Sequence, residues 1–239
     1  MPKPHPPPLP RLAFRRRRLS PEGYFGLHLT LGLLVAVLAC WAFGGITEDV
    51  VTGDPLIQLD QRVADYFHAH ATPGRNQLMA VISFFGSGAF LGAVTAVGVL
   101  WLAWRRSWDR FLALLLVVPG GALIDVVVKQ LIHRHRPVWE HPIVTLDSYS
   151  FPSGHTMGAT LFYGLMAAFA VQELRSWKLR VTVISLAGVM VALVGFSRIC
   201  LGVHFLSDVL GALAAGIGWL ALCLTAVATL HRRRNTAAR

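Results

Sequence analysis

Charged side chains are scarce in this chain. They make up 14% of its 239 residues, where a soluble domain carries roughly 25%. Hydrophobic residues make up 54% and the mean hydropathy is +0.55. A chain of this composition cannot cover itself with polar surface, which excludes a soluble enzyme or binding module. Cysteine is also rare. Cys40, Cys200 and Cys223 are the three present, too few and too far apart for a disulfide framework. Cys40 and Cys223 fall inside apolar runs, and Cys200 reads as a buried free thiol. The first ten residues, rich in proline, lack the apolar core of a cleavable signal peptide. There is no internal repeat, and no low-complexity tract beyond that N-terminal stretch.

Long apolar runs fill the space that charge leaves. Six spans are expected, at about 25–46, 77–104, 111–132, 156–174, 181–197 and 207–230, each near the roughly 20 residues a bilayer requires. The run at 77–104 carries no charge but contains Gly86-Ser87-Gly88, so its helix is expected to start late. Residues 1–23 read as a disordered basic cytoplasmic arm, 24–230 as one membrane domain and 231–239 as a cytoplasmic tail. Pro119-Gly120-Gly121 is expected to kink or loosen the third span. Trp101, Trp104 and Trp108 read as an interfacial belt.

The formal net charge of +10 is no sign of nucleic-acid binding, because the basic residues sort by loop and not onto one face. Sixteen of the 22 lysines and arginines lie in the N-terminal arm, the loops at 105–110 and 175–180, and the tail. The positive-inside rule then puts both termini in the cytoplasm. The remaining six, Arg62, Arg75, Lys129, Arg134, Arg136 and Arg198, lie toward the other side.

Between the first two spans, Leu56, Leu59, Val63 and Phe67 recur every three to four residues. This predicts a short amphipathic helix along the outer membrane surface, either flanking a lipid's route to the site or simply capping the bundle. His68 and His70 read as surface loop.

Three clusters carry the chemistry, each where an apolar run meets a loop. The first is Lys129, then Arg136-Pro137 after six intervening residues. The second is Pro152-Ser153-Gly154-His155. The third is Ser197-Arg198, followed by His204 and Asp208. Transfer of a phosphoryl group is mostly a matter of positioning and of stabilising charge on its oxygens. Lys129, Arg136 and Arg198 are cations at span ends, where charge in lipid is costly and usually functional. One such residue alone reads equally well as snorkelling; three beside histidines do not. Asp125, four residues before Lys129, shares its helix face and would lower the cost of burying the ammonium. Ser153 is a natural N-cap, and Gly154 allows backbone to approach a ligand closely. Free N–H groups at that helix start would bind phosphate oxygens.

His204 and Asp208 share a face if their stretch is helical. The carboxylate would take one imidazole nitrogen and leave the other free as a nucleophile. His155 would protonate the leaving oxygen and later activate water. His133, His135 and His141 crowd the first cluster. They lack a closed zinc ligand set and read as residues at the lip of the site.

The clusters resemble the three signature motifs of the type 2 phosphatidic acid phosphatase (PAP2) family, with no departure at a defining position. The similarity also covers the six-span layout, residues 24–230. It implies an all-α polytopic six-transmembrane-helix bundle and a metal-independent membrane lipid phosphatase without a cofactor. His204 would form a phosphohistidine, His155 would be the acid/base and Asp208 the orienter. Lys129, Arg136, Ser153, Gly154 and Arg198 would bind the phosphate. The compact chain is similar to bacterial members that act on the undecaprenyl carrier or on glycerophospholipids. The substrate class would be phosphatidic acid, phosphatidylglycerol phosphate or undecaprenyl diphosphate, met at the extracytoplasmic face of the plasma membrane. A phosphotransferase using the same site, and a non-catalytic phospholipid-binding membrane protein, are the alternatives. Oligomeric state is left open.

Overall fold

The computed structural model describes residues 24–53 and 55–237; the arm expected at 1–23 lies outside them. The described residues form eight helices and no strand. They are α1 (Tyr24–Thr52), α2 (Pro55–Ala69), α3 (Pro73–Phe84), α4 (Gly88–Trp104), α5 (Trp108–Ile132), α6 (Gly154–Glu173), α7 (Trp177–Cys200) and α8 (Leu206–Ala237). Local chemistry explains several of the boundaries. Pro73 opens α3, and Thr72 caps it by accepting from the Arg75 N–H at 3.3 Å. At the end of α5 the chain turns through a left-handed His133, whose N–H reaches the Lys129 carbonyl.

Five stretches are long and apolar enough to cross a membrane: 29–52, 73–104, 108–132, 177–200 and 206–230. The chain is a multi-pass, all-helical membrane protein. Helix α6 is not among the five because Gly, Thr and His dilute its apolarity, yet its 20 residues extend about 30 Å, a bilayer's thickness. It packs against α5, α7 and α8, with Thr156, Met157, Ala159, Leu161 and Leu165 buried. A helix enclosed by other helices has no need of a lipid-facing surface. The outer helices instead expose Val37, Leu100, Leu131 and Leu186, as a bilayer solvent favours. Small residues let these helices approach. Gly120 and Gly121 of α5 make room for Trp219 and Leu161, and Trp219 Nε1 donates to the carbonyls of Leu116 and Val117. The helix runs on through Pro119-Gly120-Gly121, which accommodates packing rather than ending the span.

The structure revises the expected elements in detail. The second apolar run is two helices, α3 and α4, broken at Phe85–Ser87. The break is satisfied: Ser87 caps α4 by accepting from the Phe90 N–H, and Tyr163 Oη donates to the Phe85 carbonyl. The fifth span, expected at about 181–197, is the 24-residue α7. The amphipathic helix exists as α2, and the residues it buries most deeply are Asp60 and Ala64. Helix α2 docks on α7 and α8, so its inward face must meet protein and carries a carboxylate. His68 is not loop; it closes α2 and stacks flat on Trp139, with ring centroids 4.0 Å apart.

Candidate active site

The three clusters converge at one end of the bundle. Lys129, on the last turn of α5, holds its ammonium 2.5 Å from Asp125 Oδ2, the pairing that i,i+4 spacing predicts. A Cβ placed on Gly154 would lie 3.0 Å from Asp125 Oδ2 and 3.1 Å from Lys129 Nζ. The ion pair therefore rests directly on the start of α6, and any larger side chain at this position would push it aside.

Arg136 lies in the loop after α5. Its guanidinium is held by the carbonyls of Ser148, Tyr149 and Val203 and by the Ser148 hydroxyl. Burial pushes it below its ordinary pKa, partly opposed by the carboxylates of Asp208 and Asp125. Its Nη1 also faces His204 Nε2 at 3.0 Å.

The segment then passes a cis Phe151-Pro152 bond into α6. Ser153 takes the N-cap position with extended backbone, and its N–H donates to the Asp208 carbonyl at 3.1 Å. Its hydroxyl does not cap the helix as expected. It accepts from the Thr156 hydroxyl instead, so no side chain occupies the first N–H groups of α6. Those donors stay oriented for an anion.

His204 does not sit on the helix with Asp208. It occupies the loop just before α8, and Asp208 reaches back from the first helical turn. His204 Nδ1 lies 3.2 Å from Asp208 Oδ2, which also accepts the Phe205 N–H at 2.9 Å. Both residues are buried. With Asp208 accepting at Nδ1, the neutral imidazole carries its proton there, and its Nε2 lone pair faces Arg136. Burial lowers the His204 pKa to about 4; Asp208 raises it, while Arg136 and Arg198 lower it. His204 is therefore neutral throughout the neutral range.

Arg198, on the last turn of α7, is buried, donates to Ser83 Oγ at 2.5 Å, and leaves its Nε without a partner among the described residues. His155 sits in the field of Arg198, His204, Lys129 and Arg136. It also lines a cavity of about 620 Å³ between α4, α5 and α6. Leu91, Val99, Leu115, Val118 and Ala122 form apolar walls, and Asp125, Gly154 and His155 stand at the polar end. His133, His135 and His141 are exposed on the loop after α5.

The sequence reading missed several residues of this region. Arg134 pairs with both Asp60 and Asp208, Ser207 binds Asp60, and Ser83 holds Arg198. A signal for Asp60 was present. It stands four residues from both Leu56 and Ala64, on the side of α2 that turns inward.

Residues 110–232 match the family described as the PAP2 superfamily. The chain is 40% identical to Phosphatidylglycerophosphatase B of Bacillus subtilis over 147 residues, 61% of this chain and 71% of that protein. The chain belongs to the PAP2 superfamily. Decaprenylphosphoryl-5-phosphoribose phosphatase of Mycobacterium tuberculosis is 34% identical over 47% of this chain and 56% of its own length. Among solved structures, a transmembrane PAP2-type phosphatidylglycerolphosphate phosphatase from Bacillus subtilis superposes with a TM-score of 0.71 at 32% identity. That match covers 79% of this chain and 94% of the other. Aquifex aeolicus LpxE shares the fold, with a TM-score of 0.54 at 19% identity over 70% of this chain and 94% of its own. The chain is thus an integral-membrane hydrolase, a metal-independent phosphatase of PAP2 type.

Proposed function

We propose that this PAP2 phosphatase removes phosphate from a lipid phosphate or diphosphate at the extracytoplasmic face of the plasma membrane. Both termini lie in the cytoplasm, in the six-span arrangement that the charge asymmetry supports. The observation that carries the reading is His204, buried between the Asp208 carboxylate at 3.2 Å and the Arg136 guanidinium at 3.0 Å. A neutral imidazole with one nitrogen anchored and the other facing a cation is a nucleophile waiting for an anionic electrophile.

Substrate phosphate enters among Lys129, Arg136, Arg198, the Ser153 hydroxyl and the free N–H groups of α6 that begin at Gly154, displacing Arg136 from Nε2 onto a phosphate oxygen. Nε2 attacks phosphorus as the bond to the lipid oxygen breaks, and that oxygen takes a proton from His155. The product alcohol, or monophosphate, leaves. Neutral His155 then removes a proton from water. The hydroxide displaces Nε2 from phosphorus and releases inorganic phosphate, with His204 regenerated and His155 reprotonated. Asp208 supports the positive charge on the imidazole throughout. The apolar cavity that ends at His155 suits a lipid tail.

The Bacillus relative's name favours a phosphorylated glycerophospholipid as substrate, with phosphatidylglycerol phosphate first. The test is phosphate release by the detergent-purified protein in EDTA. The panel is phosphatidylglycerol phosphate, phosphatidic acid and undecaprenyl diphosphate, with His204→Ala alongside. Release from phosphatidylglycerol phosphate, abolished in the variant, is the expected result. Release only from the prenyl diphosphate overturns the substrate assignment, and turnover by His204→Ala overturns the mechanism.

A further inference from the structure

Asp60 lies outside the three clusters, and Arg134 is only one of the six intervening residues of the first, yet both stand directly behind the nucleophile's carboxylate. Arg134 places Nη2 2.7 Å from Asp60 Oδ2 and Nη1 2.5 Å from Asp208 Oδ1, with the Ser207 hydroxyl also within 2.6 Å of Nη1. Its guanidinium lies over the Phe205 ring, 4.5 Å from the centroid. Asp60 is fully buried and binds the Ser207 N–H at 2.8 Å through Oδ1, while the Ser207 hydroxyl donates to Oδ2. One guanidinium thus bridges two buried carboxylates from different helices. It is turned away from phosphate, unlike Arg136 two residues on.

This arrangement is a poor device for stability alone. A buried ion pair recovers in attraction about what it loses in desolvation. What it does supply is direction. Asp208 has two oxygens and two tasks: Oδ2 accepts from the Phe205 N–H and must stay on His204 Nδ1, and Oδ1 is held at 2.5 Å by Arg134. Without Arg134, Oδ1 keeps only the long 3.5 Å contact of the Ser150 hydroxyl, and the carboxylate gains freedom to rotate about its Cβ–Cγ bond and misalign the imidazole. Asp60 in turn keeps the guanidinium from swinging, because it holds the opposite edge of the fork.

We infer that Asp60 of α2 and Arg134 are positioning residues for catalysis, fixing the Asp208 carboxylate so that His204 Nε2 stays in line with the phosphoryl group. The inference rests on the reading of His204 as nucleophile, and it gives α2 a catalytic purpose beyond capping the bundle.

The test uses the full-length detergent-purified enzyme with Asp60→Asn and Arg134→Lys, its lipid phosphate substrate, and two inhibitors. Asp60→Asn keeps an oxygen for the Ser207 N–H, so the start of α8 stays held while the charge is lost. Inorganic phosphate reports ground-state binding. Orthovanadate adopts a five-coordinate form resembling the transition state, so its affinity depends on where Nε2 points. In both variants kcat is expected to fall, and the vanadate Ki to rise, by about 10- to 100-fold, with KM and the phosphate Ki within about twofold of the parent. An inhibition constant does not depend on the fraction of folded enzyme, so a merely structural role would lower Vmax and leave the vanadate Ki unmoved. That result in both variants overturns the proposal. Where turnover is too low, vanadate affinity is read from the rise in melting temperature it induces, and Arg134→Lys decides if Asp60→Asn does not fold. His204→Ala runs in parallel. Its retention of turnover would defeat the nucleophile reading itself, whereas an inactive His204→Ala beside unperturbed Asp60 and Arg134 variants would defeat only the positioning role.

Discussion

At the level of single residues the site is an exercise in dividing charge. Arg136 and Asp208 act on His204 from opposite sides, and their removal should shift its titration in opposite directions. Burial, with Arg136 and Arg198, holds the imidazole at about 4 against the pull of Asp208. Lys129, His155, Arg134 and Asp60 are the other titratable groups around the pair. Arg136→Gln removes a cation that disfavours the protonated form, so the His204 pKa rises and the acid limb of kcat/KM moves to higher pH. Asp208→Asn removes the stabilising anion and moves that limb lower. It also frees the wrong tautomer, with a fall in kcat of about 10³- to 10⁴-fold. A pH–rate series on the parent and both variants checks this, since a limb due to substrate ionisation would be common to all three. Limbs that shift together, or not at all, would remove His204 from the role of titrating nucleophile. The identities of His204, Asp208, His155, Lys129, Arg136 and Arg198 were legible in the sequence because each sits in a local pattern of spacing. The Ser153 hydroxyl was misassigned, because its choice of Thr156 over the helix N–H groups depends on rotamers that spacing does not report.

At the level of elements, the break between α3 and α4 is what brings Ser83 to Arg198 and Gly86 against the backbone of His155. A Cβ on Gly86 would meet the Val194 side chain and come within 3.1 Å of the His155 carbonyl oxygen, whereas one on Gly88 meets nothing within 4 Å. Gly86→Ala is therefore expected to destabilise the fold by about 1–3 kcal/mol and to lower kcat by displacing the start of α6. Gly88→Ala should leave melting temperature and turnover near the parent values. Thermal unfolding and kinetics of the two detergent-purified variants decide it, and equal behaviour of both would show that the contact does not constrain α6. The Gly86-Ser87-Gly88 signal was visible in the sequence as a helix irregularity. The short helix before the break was not, because residues 77–84 read as part of one apolar run. For α2 the hydrophobic spacing gave the helix, but it gave no sign that Asp60 is the residue buried against the bundle.

The whole molecule is an apolar bundle with its basic loops at one end and its chemistry at the other. If orientation follows the loops, alkaline phosphatase fused after Glu140 should be active in cells, and the same reporter fused after Arg106 inactive. The reverse pattern would place the site in the cytoplasm. The bundle also explains why the span nearest the chemistry is the least apolar. Helix α6 gave up lipid contact to carry Ser153, Gly154, His155 and Thr156 at its start, and its neighbours screen it from the bilayer.

Sequence by itself determined the membrane class, the sorting of basic residues by loop and the three clusters that the fold brings together, because composition and short-range spacing act locally along the chain. Only the tertiary structure decided what each group faces. Arg134 and Arg136 are two residues apart and carry the same charge, yet one is consumed by two carboxylates and the other meets the His204 imidazole. Asp60 is 74 residues from Arg134 and 147 from Ser207. No pattern along the chain connects them, since a buried ionic network is assembled by helix docking through space.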